Sequence, residues 1–114
     1  MSTLQYSSST KGGVTIIKIG GNLDIQSAPK LNTKLGEAID GGVKNIILNL
    51  ADVDYIASAG LGAIVSNNGR LRKQGGEILI SGMSDKIQKI FKLLGFLHLF
   101  KTYKNDEEAI NSYK

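Results

Sequence analysis

The chain has 114 residues, one histidine and no cysteine, and 41% of it is apolar. That length holds one domain, 1–114, and the composition excludes disulfides, thiolate metal sites, a cysteine nucleophile and an ordinary zinc site. The net charge is +4, and residues 58–114 carry the whole excess, with nine basic against five acidic side chains.

Leu4 to Ser9 is a weak, polar strand candidate, and Thr10-Lys11-Gly12-Gly13 suits a hairpin turn. Val14-Thr15-Ile16-Ile17-Lys18-Ile19 is a β-branched strand that Gly20-Gly21 closes. A helix follows, roughly Ala28 to Asp40. Leu31, Leu35, Ala38 and Ile39 make its buried stripe, Ser27 suits the N-cap, and Gly41-Gly42 ends it. Asn45 to Leu50 is nearly continuous apolar sequence, as in a central parallel strand, and Ala51-Asp52-Val53-Asp54 reads as a turn.

Leu61, Ile64, Val65 and Leu71 mark a second helix from about Ser58 to Lys73, and Gln74-Gly75-Gly76 ends it. Glu77 to Ser81 is the next strand. Ser84 then caps a third helix, with Ile87, Ile90, Phe91 and Leu94 as its buried stripe and Gly95 beyond its end. Leu99 to Tyr103 suits a last short strand, and Asp106-Glu107-Glu108 opens a closing helix. The order predicts an α/β domain. Its sheet is mostly parallel with an antiparallel first strand at the edge, and its helices lie mainly on one face.

Chemistry concentrates in Tyr55-Ile56-Ala57-Ser58-Ala59-Gly60-Leu61-Gly62-Ala63, a small-residue turn from a strand into a helix. Ser58 falls at the helix start, where it is either a plain N-cap or a phosphorylation site facing free N–H groups. Gly60-Leu61-Gly62 fails as a dinucleotide loop, because Val65 stands where the third glycine belongs. Asp24 follows the second strand, so a parallel sheet brings it to the same edge as Ser58. It is either a turn residue or an acidic group that orients the Ser58 region or meets a partner. Ser66, Asn67 and Arg70, on the second helix, complete the expected binding surface.

His98 reads as a packing residue, and the lysines of the third helix as a solvated face. Arg70, Arg72 and Lys73 suit the C-terminal end of the helix dipole or an acidic surface. No interleaving of aromatic and basic residues points to nucleic acid, no apolar run reaches membrane-spanning length, and no secretory signal opens the sequence. A cytoplasmic protein without metal or cofactor is expected.

Gly21-Asn22-Leu23-Asp24, Ile47-Leu48-Asn49-Leu50, Tyr55 to Gly62 and Gly75-Gly76-Glu77 together resemble the bacterial anti-sigma factor antagonists, which are single STAS domains. The resemblance spans nearly the whole chain and is most specific in Ser58-Ala59-Gly60-Leu61-Gly62. It implies a partner switch and no enzyme activity. The unphosphorylated antagonist binds an anti-sigma factor that is a GHKL-type serine kinase, and a sigma factor is freed. Phosphorylation of the matching serine, Ser58, dissociates the complex, and a PP2C-type phosphatase restores it. Partner-binding residues then include Asp24, Ala57, Ser58, Ala59, Gly60 and Leu61. Many members carry Asp before that serine; this chain carries Ala57. The alternative is a STAS binding module for a non-sigma partner, either another signalling kinase output or a transporter ATPase. A monomer is expected, with a free sheet edge leaving a dimer open.

Overall fold

The structure is a computed structural model describing residues 4–113. Strands β1 (Gln5–Lys11) and β2 (Val14–Leu23) form an antiparallel hairpin. Its two turn residues, Gly12 and Gly13, have φ of 60° and 79°. A type I′ turn needs positive φ at both positions, and glycine supplies it without steric cost.

Helix α1 (Ala28–Asp40), strand β3 (Asn45–Ile56), helix α2 (Ser58–Lys73), strand β4 (Glu77–Ser81) and helix α3 (Asp85–Leu93) follow. A 3₁₀ turn at Leu97–Leu99, strand β5 (Thr102–Tyr103) and helix α4 (Asp106–Asn111) complete the described chain. The sheet order is β1-β2-β3-β4-β5, and every pairing after the hairpin is parallel. The predicted α/β architecture is therefore the observed one.

Successive side chains of a strand point to opposite faces, and the two cores follow from that period. Ile17, Ile19, Ile46, Leu48, Leu50, Ile78 and Ile80 pack under α1, α2 and α3 with Leu31, Leu35, Leu61, Ile64, Ile87 and Phe91. Val14, Ile47 and Leu79 face the other way, onto Ala109 and Ile110 of α4. Each fully buried Ile or Leu contributes about 1.5–3 kcal/mol relative to exposure. Three helices lie on one face and the short α4 on the other.

A polar latch holds α4. The Asp106 carboxylate accepts from the Ser81 hydroxyl at 2.6 Å and from the Asn49 amide at 3.0 Å. Asn49 Oδ1 in turn accepts from the Ala51 backbone N–H at 2.9 Å. Ser81 and Asn49 are both buried in the sheet, so an acceptor from α4 satisfies groups that would otherwise be costly.

Two expectations about β2 and β3 are corrected together. Gly20-Gly21 does not close β2, and Ala51–Asp54 is strand, not turn. Each segment supplies the other's hydrogen-bond partners, with Gly20 opposite Asp52 and Gly21 opposite Val53. The register shifts on either side of this pair, as a bulge requires. A Cβ on Gly20 would stand 3.0 Å from that of Asp52.

The third helical unit also differs. Leu94 is 41% exposed and stands at the C-cap of α3, outside its buried stripe. His98 is exposed, not packed. The 3₁₀ turn sends Phe96 and Leu97 against the core and His98 and Leu99 outward. The chain then seats Phe100 edge-on to Phe91, with ring centres 6.1 Å apart. The last strand shrinks accordingly to Thr102–Tyr103.

Candidate functional site

The β2 and β3 extensions carry both candidate loops to one sheet edge. Leu23 pairs with Ile56, and the Ala57 N–H donates to the Leu23 carbonyl at 2.8 Å. The Asp24 loop and the Ser58 turn thus leave the sheet side by side.

Asp24 opens a helical turn that runs into α1. Its Oδ1 accepts from the backbone N–H groups of Gln26 and Ser27, each at 3.0 Å. The Ser27 hydroxyl accepts from the Asp24 N–H at 2.9 Å and donates to the Asn22 carbonyl at 2.7 Å. This is a reciprocal capping box, with Asp24 as the cap and Ser27 as the returning partner. Ser27 holds the N-cap position of α1 as expected, but its side chain makes no cap bond to that helix. The Ser27 N–H bond, opposed by some desolvation and joined by the Gln26 N–H and the Ser27 hydroxyl, holds the Asp24 carboxyl below its ordinary range. Asp24 is therefore anionic at neutral pH.

The start of α2 is built differently. Ala57 is its N-cap, in extended conformation at φ −104° and ψ 168°, and offers no side-chain acceptor. Ser58 is the first helical residue, so the plain N-cap reading fails. By contrast, Ser84 caps α3 and Asn105 caps α4 through their side chains, and both helices carry acids in their first turn. The first turn of α2 has none. The N–H groups of Ser58, Ala59 and Gly60 precede the first helical bond, from the Leu61 N–H to the Ala57 carbonyl. An anion placed on Ser58 meets the positive end of a 16-residue helix.

Gly60 sets how closely α2 approaches the sheet. A Cβ there would lie 2.4 Å from Leu23 Cγ and 2.9 Å from the Leu23 carbonyl oxygen. Gly62, two residues on, is exposed, and a Cβ there would meet nothing within 4 Å.

The expected binding residues divide into two groups. Asp24 and Ala57 are partly exposed, and Ser58, Ala59, Ser66 and Arg70 are exposed. Gly60, Leu61 and Asn67 are buried and shape the surface from beneath. The Asn67 amide donates to the Ala63 carbonyl and to Asn32 Oδ1, each at 2.8 Å, which fastens α2 to α1. Arg70 pairs with Asp40 of α1 at 2.6 Å.

Two residues that sequence reasoning did not assign to the surface stand beside Asp24 and Ser58. Ile25 is 76% exposed, and Tyr55, opposite the backbone of Asn22, is 47% exposed. The signal for Ile25 was its place in a capped turn, outside the periodic stripe of α1. Among the described residues no cluster of His, Asp or Glu suits a metal ion, and no helix is long and apolar enough to cross a membrane.

The STAS domain profile matches residues 5–109. The anti-sigma-B factor antagonist of Staphylococcus aureus is 33% identical over 91 residues, 80% of this chain and 84% of that protein. An anti-sigma factor antagonist from Mycobacterium paratuberculosis superposes with a TM-score of 0.87 at 19% identity, covering 96% of this chain and 93% of that one. The Bacillus cell fate determinant SpoIIAA in its phosphorylated form superposes with a TM-score of 0.74 at 22% identity, over 96% of this chain and 100% of that one. The matching profile and the 33%-identical relative show the family: the chain is a STAS domain of the anti-sigma factor antagonist family.

Proposed function

We propose that this chain is a phosphorylation-controlled antagonist whose switch residue is Ser58. In its unphosphorylated form it binds an anti-sigma factor serine kinase of the GHKL type and frees a sigma factor. The kinase transfers phosphate to Ser58, the complex parts, and a PP2C-type phosphatase restores the binding form. The chain itself supplies no catalytic group.

The observation that carries this reading is the start of α2. Ser58 is exposed on the first turn, with no side-chain cap and no acid beside it. A phosphate adds about −1.5 to −2 charges at neutral pH. The helix end stabilises such an anion by about 0.3–1 kcal/mol, so the domain keeps its fold. The partner meets the new charge on a surface where the nearest exposed residues of α2, Ala59, Gly62 and Ser66, carry no cation to neutralise it. A hundredfold loss of affinity needs only about 2.7 kcal/mol, well within what unpaired interfacial charge costs. That SpoIIAA, a relative of the same fold, has a phosphorylated form supports the reading.

Intact-mass and peptide mapping of the chain purified from its own cells tests it, with Ser58→Ala alongside. The expected result is one phosphate, confined to the Ser58 peptide and absent from the variant. A chain that stays unmodified at Ser58 under every growth condition refutes it.

A further inference from the structure

The two edges of the sheet are finished differently. β5 closes one edge with only Thr102–Tyr103. β1 leaves the other edge open over seven residues, and all of them pair with β2 without a register shift. No proline interrupts β1, and its one charged residue, Lys11, stands at its end. Edge strands are ordinarily blunted by charge, proline or a bulge, so a regular and nearly neutral edge of this length is a template for another strand.

The register says which groups are on offer. The hairpin turn makes Lys11 and Val14 a hydrogen-bonded pair, and such pairs alternate along an antiparallel ladder. Ser9 and Ser7 therefore also turn their backbone groups toward β2, and Tyr6, Ser8 and Thr10 turn theirs outward. Among the described residues no loop or helix backbone bonds to these outward groups. An identical strand laid antiparallel, with Ser8 opposite Ser8, sets Tyr6 opposite Thr10 and exchanges about six backbone hydrogen bonds. Ser7 then faces Ser9 and Gln5 faces Lys11, so no like charges meet across the new ladder.

Helix α1 favours a second copy over an unrelated strand. It runs in the same direction as β1, since both run opposite to β2. A groove between them has Tyr6, Ser8 and Thr10 in its strand wall, and its charged groups are Lys34 and Glu37. The Lys34 ammonium stands 5.4 Å from the centre of the Tyr6 ring. Glu37, about one turn further along α1, stands toward Thr10. Neither is ion-paired among the described residues. A two-fold axis through the Ser8 pair exchanges the Tyr6 and Thr10 ends, so Lys34 of each copy comes to face Glu37 of the other.

We propose that the β1 edge pairs with that of a second copy, joining two five-stranded sheets into one across a two-fold axis at Ser8. The assembly closes at two, because the remaining edge of each copy is the two-residue β5.

Sedimentation equilibrium of the full chain tests this, with Ser8→Lys, Lys34→Glu and Glu37→Lys alongside. None of these side chains is buried, and circular dichroism verifies that each variant is folded. The unaltered chain should show a concentration-dependent monomer–dimer equilibrium. Ser8→Lys sets two lysines directly opposite one another and should weaken the dimer at least about tenfold. Lys34→Glu and Glu37→Lys should each weaken it by about tenfold, because the two-fold axis repeats each like-charge contact. Mixed in equal amounts, those two variants should associate about as tightly as the unaltered chain, since their charges are complementary again. The proposal is overturned by a chain that stays monomeric up to about 1 mM, or by one that grows into larger assemblies. A dimer indifferent to Ser8→Lys, or a mixture no tighter than its separate components, overturns it equally.

Discussion

Gly60 and Gly62 lie two residues apart on α2, and alanine at the two positions should act with opposite sign. At Gly60 the new Cβ falls 2.4 Å from Leu23 Cγ, 2.9 Å from Leu23 Cδ2 and 2.9 Å from the Leu23 carbonyl oxygen. The leucine side chain can turn away. The carbonyl cannot, because it already accepts the Ala57 N–H at 2.8 Å and ties the two candidate loops together. Overpacking of this kind costs about 1–3 kcal/mol, and contact with fixed backbone puts the cost near the upper end. Alanine's better helix propensity returns at most about 1 kcal/mol. The net loss is about 2 kcal/mol, which lowers Tm by about 8 °C in a domain of this size. At Gly62 nothing lies within 4 Å of the new Cβ, so only the propensity gain remains, and Tm rises by about 4 °C. Thermal and urea unfolding followed by circular dichroism measure both. Hydrogen exchange at the Ala57 amide reports locally, and it should speed up in Gly60→Ala alone. A Gly60→Ala protein as stable as the unaltered chain would refute the argument that this glycine sets the spacing between α2 and β2.

Three further outcomes follow from the same structure. Ile25→Ser should weaken kinase binding by about tenfold without lowering Tm, since exposed apolar anchors at an interface contribute about 1–2 kcal/mol; calorimetric titration checks the first and a thermal melt the second. Asp24→Asn should lower Tm at neutral pH by weakening the cap. Because folding lowers the Asp24 pKa from 3.8, its stabilisation is complete above that value and fades as pH falls through the lowered one, so the two melting curves should converge in acid. Asp106→Ala should cost about 1–3 kcal/mol by leaving the Ser81 hydroxyl and the Asn49 amide without an acceptor, and hydrogen exchange should show α4 loosened while the Ser58 loop is unchanged.

Much of this fold is legible in the sequence because its signals are local and consistent. The stripe Leu31, Leu35 and Ile39 is buried as its spacing demands, Ser84 caps α3 through its hydroxyl, and α2 spans Ser58–Lys73. The misreadings occur where tertiary pairing overrides local chemistry. Gly20-Gly21 and Ala51–Asp54 each look like turns in isolation and become strand only through each other. Ser27 is the N-cap of α1 by position, but the side-chain acceptor for the turn that leads into it is Asp24, three residues earlier. Ser58 has the composition of an N-cap, and the backbone gives the position to Ala57. At the site, sequence order placed Asp24 and Ser58 at one edge but did not separate presenting residues from supporting ones. Asn67 is polar and sits on α2, yet its amide is spent inside, on Asn32 and Ala63. Ile25 is apolar and stands in the open, because the cap at Asp24 fixes its turn with that side chain outward.

The central claim is that charge on Ser58 decides partner binding. The most direct measurement is the affinity of the anti-sigma factor kinase for the unphosphorylated chain and for the chain phosphorylated at Ser58, side by side by calorimetry. The account predicts tight binding of the first and at least about a hundredfold weaker binding of the second, equivalent to about 2.7 kcal/mol. Both forms should melt within a few degrees of one another, since the phosphate rests on the start of α2. Equal affinities for the two forms, with Ser58 stoichiometrically phosphorylated, would contradict it.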